Sequence, residues 1–383
     1  MSASVRMRFT LVAGMTTIAL LGGKAFTQTD PGRAAGQGRA AGAGGGQGRA
    51  AGPAQPVPNA DILDPARNPL PNPNPAEIRG FGILPDGRKW GNTAGVAIGP
   101  DQNVWAYDRC GENTCENSNL TPIFKFDRDS GKVLASFGAG MFVFPHGIHV
   151  DRDGNVWVTD GQANKAGTKG QQVIKFSPDG KVLLTLGKAG VSGNGPDTFN
   201  QPSSVVVAPN GDIFVGDGHG GNSNARIVKF SKDGKYIKEW GKPGSAPGEF
   251  SIPHAMAFDS KGRLFVADRP NHRLQIFDQD GKFLDQWKQF GRVSGLAITR
   301  NDMLYAIDSE SNETRHPGWM TGVRIGTTNE DKVVAFILPH PNGKFEGSAG
   351  EGIAVDRDGN VYGAEGPISR PFAAGALTKY VKR

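Results

Sequence analysis

The chain has 383 residues, among them 56 Gly and 26 Pro, and a formal charge of +6. Six of its 43 Lys and Arg but only one of its 37 acids lie in residues 1–55, which leaves 37 basic against 36 acidic residues in the rest. The excess charge therefore belongs to an N-terminal tail, and a basic nucleic-acid-binding face on the remainder is excluded as a reading.

In chain order, residues 1–25 read as a signal peptide. Arg6 and Arg8 precede an apolar run from Phe9 to Leu21, and small residues at Gly23–Ala25 suit cleavage. The run is short for a membrane span, so no stable span is expected after cleavage and the product is expected in the periplasm or outside the cell. Residues 26–77 read as a disordered Gly/Ala/Pro-rich linker. Gly-Arg-Ala-Ala-Gly occurs at 32–36, 38–42 and 48–52 before the stretch turns Pro/Asn-rich. Such a segment buries too little apolar surface to offset its ordering entropy.

From residue 78 to 383 one unit recurs. An alternating apolar strand meets a D-x-x-G turn, a second strand ends in an acid, and two further strands follow. The openings are Gly95–Ile98, Gly147–Val150, Ser204–Val207, Ala255–Phe258, Gly295–Ile298 and Gly352–Val355. The strand-ending acids are Asp108, Asp160, Asp217, Asp268, Asp308 and Glu365, read as turn ligands. Six copies at this spacing predict an all-β, six-bladed β-propeller with four-stranded blades. The last copy lacks a fourth strand, which residues 78–91 are expected to supply. Cys110 and Cys115 suit a small loop disulfide in an oxidising compartment, with two free thiols as the alternative. Residues 309–331 read as a long insertion in blade five.

Two imidazoles and a carboxylate stand at one repeat position. His146, His254 and Glu351 each lie eight residues before the turn glycine, namely Gly154, Gly262 and Gly359. They open the first strands of blades two, four and six, about 120° apart on one rim, whereas Ala94, Ser203 and Ser294 hold that position in the other blades. A His₂-carboxylate set with open positions suits a divalent metal, zinc foremost and iron(II) as an alternative. His149 reads as core or channel-lining, and His272, His316 and His340 have no repeat-related partner.

The motifs P-H-G-I-x-V-D-x-D-G-N-V-W-V-T-D (145–160) and F-S-x-P-H-A-x-A-x-D-x-x-G-R-L-F-V-A-D-R (250–269) resemble NHL-repeat propellers, and among these the peptidyl-α-hydroxyglycine α-amidating lyase family. The resemblance covers residues 78–383. It implies a lyase that cleaves the N–C bond of a peptidyl-α-hydroxyglycine to an amide and glyoxylate, with a small-molecule or peptide substrate at the central rim. The family's zinc is held by three His; His146 and His254 match two, and the third falls on Glu351. Arg109 and Arg269 match functional arginines, which implies a grip on the substrate carboxylate. After Asp217-Gly218, where the family has a catalytic Tyr, this chain has His219, an imidazole suited to general-base work. The competing readings are a non-catalytic propeller acting as a binding scaffold and a propeller lactone hydrolase.

Overall fold

A computed structural model describes residues 62–339, 349–365 and 377–383. The segment read as a signal peptide, residues 26–61 of the linker, and His340 lie outside the described residues. Six four-stranded antiparallel sheets are present, each a meander in sequence order except the last. Blade two is representative, with strands Pro145–Val150, Val156–Asp160, Gln172–Phe176 and Val182–Leu186. Its first turn is built by Asp151, whose Oδ1 accepts from the N–H groups of Asp153 and Asn155. Gly154 stands there at φ +83°, which an L side chain rarely adopts.

Burial follows the radius of the disc. The second strand of blade two is buried throughout, while the outermost strand of blade one exposes alternate residues such as Leu134. Apolar side chains pack between neighbouring blades. Trp105 and Tyr107 of blade one, for instance, share a cluster with Val158 and Phe176 of blade two. The strand-ending acids act as turn ligands, as expected. Asp108, Asp160, Asp217 and Asp268 accept from the backbone N–H seventeen residues earlier, on Gly91, Val143, Asn200 and Ser251. Each bond ties the loop that enters a blade to the end of its second strand, and bonds to charged acceptors contribute about 1.5–3 kcal/mol.

The ring closes in blade six. Its strands Gly352–Val355, Val361–Ala364 and Leu377–Val381 are joined by Ala76–Arg79 as the outermost strand, paired from Ala76↔Val381 to Arg79↔Thr378. The closing strand thus begins two residues before the expected segment. Residues 62–77, counted with the linker, also require correction because they are packed. Asp64 accepts from Arg324 Nη2 at 2.7 Å, the Pro71 carbonyl accepts from Phe336 N, and Asn74 Nδ2 donates to the Gly359 and Tyr380 carbonyls. This polar stretch is ordered by hydrogen bonds to blade edges, an account that hydrophobicity alone misses. The blade-five insertion is shorter than expected, since Gly322–Thr327 is a strand. Among the described residues no helix is long and apolar enough to cross a membrane.

Candidate metal centre

The site position is a bulge. In blade four the register runs Pro253↔Asp268 and then Ala255↔Ala267, which leaves His254 out of the ladder. In blade two Pro145↔Asp160 is followed by Ile148↔Val158, leaving out His146 and Gly147. An extra residue in one strand re-aims its side chain, and here it turns both imidazoles to the mouth of the central channel. That channel is lined by the six inner strands and has a volume of about 330 Å³.

The neighbouring blade then orients each ring. His146 Nδ1 lies 2.7 Å from the Ser203 carbonyl, and His254 Nδ1 lies 2.5 Å from that of Ser294. A carbonyl only accepts, so each Nδ1 carries the proton and each Nε2 keeps a lone pair. His219 joins them, its ring centroid 4.3 Å from that of His146 and 5.1 Å from that of His254. One donor atom from each of His146, His219, His254 and Glu351 lies within 4.8 Å of all the others. The Nε2 atoms of the three histidines and Glu351 Oε2 are buried, and none has a hydrogen-bond partner among the described residues.

Four convergent orphaned donors are costly unless something binds between them. His254 Nε2 faces Glu351 Oε1 at 3.4 Å, lone pair toward lone pair. Burial, with the neighbouring imidazole of His254 adding, lowers the pKa of His146 to about 3. Burial likewise lowers His219 and His254. Glu351 is held well below the carboxylate range: burial pushes it up, but the pull of the neighbouring side chains, the Arg269 guanidinium among them, outweighs that. At neutral pH the set is three neutral imidazoles and a carboxylate, a donor set that fits a divalent ion.

Both matched arginines are buried beside this cluster, and neither pairs with its neighbouring strand-ending acid. Asp108 pairs with Arg88 and Asp268 with Arg273. Arg109 donates from Nε to the Pro145 carbonyl and from Nη1 to Asn113 Oδ1, and its guanidinium lies 3.7 Å from the centre of the Phe144 ring. Asn113 sits in the loop closed by a Cys110–Cys115 disulfide. Burial lowers the pKa of Arg109 to about 10, which leaves it cationic at neutral pH. Arg269 Nη1 donates to Glu351 Oε1 at 3.2 Å and lies 3.6 Å from Glu310 Oε1.

Sequence reading missed Glu310, Asn113 and Phe144. Glu310 had a usable signal, since it lies two residues after the strand-ending Asp308 just as His219 lies two after Asp217. His149 lines the channel. His272 and His316 stack on each other in a separate group, with centroids 3.8 Å apart.

Residues 199–230 and 250–277 match the NHL repeat family. The chain is 34% identical over 303 residues to a peptidyl-glycine α-amidating monooxygenase of Xenopus laevis, covering 72% of this chain and 33% of that protein. It is 32% identical over 215 residues to a probable peptidyl-α-hydroxyglycine α-amidating lyase of Caenorhabditis elegans, covering 51% and 58%. The chain is an NHL-repeat propeller related to the amidating lyases. It spans about a third of the length of the first relative and somewhat over half of the second. A gluconolactonase of Xanthomonas campestris shares the fold, with TM-score 0.53 and 17% identity over 86% of this chain and 98% of that one.

Proposed function

We propose that this protein is an exported, metal-dependent lyase that cleaves the N–C bond of a peptidyl-α-hydroxyglycine, releasing a peptide amide and glyoxylate. The observation that carries the reading is the convergence of four partnerless donors within 4.8 Å beside buried Arg109. His146, His254 and Glu351 would hold the ion, zinc or iron(II), which leaves the His219 Nε2 lone pair beside it for the substrate. A bound divalent ion would polarise a substrate oxygen and lower the pKa of the α-hydroxyl.

The chain's own groups supply the rest. Arg109 is immobilised by Pro145, Asn113 and Phe144, and its Nη2 makes no hydrogen bond to the described residues, so that edge can take the substrate carboxylate. His219 Nε2 accepts the hydroxyl proton; the C–N bond breaks as the carbonyl of glyoxylate forms, and the proton passes to the amide nitrogen. Export is supported by Arg6, Arg8 and the apolar run that follows, together with a disulfide that persists in oxidising compartments.

The test is elemental analysis of the purified protein together with assay on benzoyl-α-hydroxyglycine. One divalent ion per chain, with glyoxylate formed and lost on chelation, is the expected result. A bound ion with no glyoxylate removes the lyase reading, and ring-opening of a lactone by that protein would favour the hydrolase reading. Absence of any ion would favour the scaffold.

A further inference from the structure

We infer that Arg269 is a positioning residue that holds Glu351 in place as a metal ligand. The inference rests on the metal reading above. It starts from how the repeat orients its ligands. His146 and His254 each donate Nδ1–H to the carbonyl of the next blade's equivalent residue, Ser203 and Ser294. For Glu351 that next residue around the ring is Ala94. Its carbonyl stands against Gly352, where an added Cβ would meet it at 2.3 Å, as one on Gly147 would meet the Ser203 carbonyl at 2.6 Å.

The carbonyl that orients a histidine is therefore present for residue 351, but a carboxylate has no proton to give it. Glu351 needs a donor from elsewhere, and Arg269 provides it at 3.2 Å. Arg269 is itself buried, 5% exposed, and the same Nη1 lies 3.6 Å from Glu310 Oε1. Arg292 and Arg315 hold Glu310 in turn. Arg269 thus closes a chain of alternating charge that runs from partly exposed Arg315 inward to the ligand, and its Nη1 is committed to that chain. Outer partners that orient a ligand are part of a metal site, and this one answers a carboxylate in a position built for imidazole.

The test measures affinity for Zn(II) by chelator competition on metal-stripped protein, without recourse to turnover. Arg269→Ala should weaken Zn(II) binding by about 10- to 100-fold, the range for loss of an outer partner. Glu351→His should bind Zn(II) through an imidazole that donates to the Ala94 carbonyl, so adding Arg269→Ala to it should change affinity by less than about threefold. Thermal unfolding of the metal-free proteins checks folding, and Glu310→Gln, which loosens Arg269 without emptying its site, should show a smaller loss if Arg269→Ala does not fold. An equal loss in both backgrounds, or unchanged Zn(II) affinity in Arg269→Ala, overturns the inference while leaving the metal site standing. A wild-type protein that binds no Zn(II), Fe(II) or Co(II) overturns both.

Discussion

At the scale of single residues, Glu351 decides how many ligands the centre has. Its buried Oε2 has no hydrogen-bond partner among the described residues, nor have the Nε2 atoms of His146, His219 and His254. Glu351→Ala should therefore weaken metal binding as strongly as His254→Ala, each by more than the roughly 100-fold upper range for outer partners; a titration showing intact affinity in Glu351→Ala would remove it from the set. His149 makes a separate, pH-dependent case. Burial lowers its pKa to about 4, against a partial rise from Asp151. Between pH 4 and about 6.5 the unfolded chain then holds more protons than the folded one. The contribution of His149 is complete above pH 6.5 and falls as pH drops toward 4, by about 1.4 kcal/mol per pH unit. Urea midpoints of metal-free protein at pH 7.5 and 5 should differ less in His149→Gln; equal differences would refute this. Three of the four donors were legible because the repeat places them in one register. The part of His219 as a fourth donor was not, because it comes from a loop, and loop offsets show no hydrophobic period.

At the scale of elements, the inner strands of blades two and four carry their histidines where the ladder bulges, whereas Glu351 precedes its strand. Sequence patterning locates such strands by alternation, yet a bulge leaves the alternation on either side intact and stays invisible until the register is seen. The bulge also explains a glycine. Gly147 lies against the Ser203 carbonyl, and an added Cβ would meet it at 2.6 Å. That same carbonyl fixes the Nδ1 proton of His146. Gly147→Ala should thus act twice, costing about 1–3 kcal/mol through overpacking and lowering metal affinity by turning the His146 ring. Calorimetry with and without added metal separates the two effects. A variant that loses stability but keeps wild-type affinity would show that ring closure and ligand orientation are independent.

At the scale of the whole molecule, closure of the ring was legible in outline: six repeats, one strand short, with the missing strand upstream. The strap that precedes it was not, because its attachment is polar and its composition resembles that of the disordered tail. Asp64 carries most of that attachment. It is buried with Arg324, both side chains fully shielded, and it also accepts from Met320 N. Trp319 Nε1 donates to the Ile62 carbonyl beside it. Removing one member of a buried pair leaves the other charge without its partner, which costs about 3–5 kcal/mol. Asp308 lies 3.6 Å from Arg324 Nη1 and compensates in part, so Asp64→Ala should fall at the low end, about 3 kcal/mol. For a domain of this size that corresponds to a drop in Tm on the order of 6–10 °C. If Asp64→Ala instead unfolds at the wild-type temperature, the strap contributes nothing to closure, and the strand Ala76–Arg79 alone seals the ring.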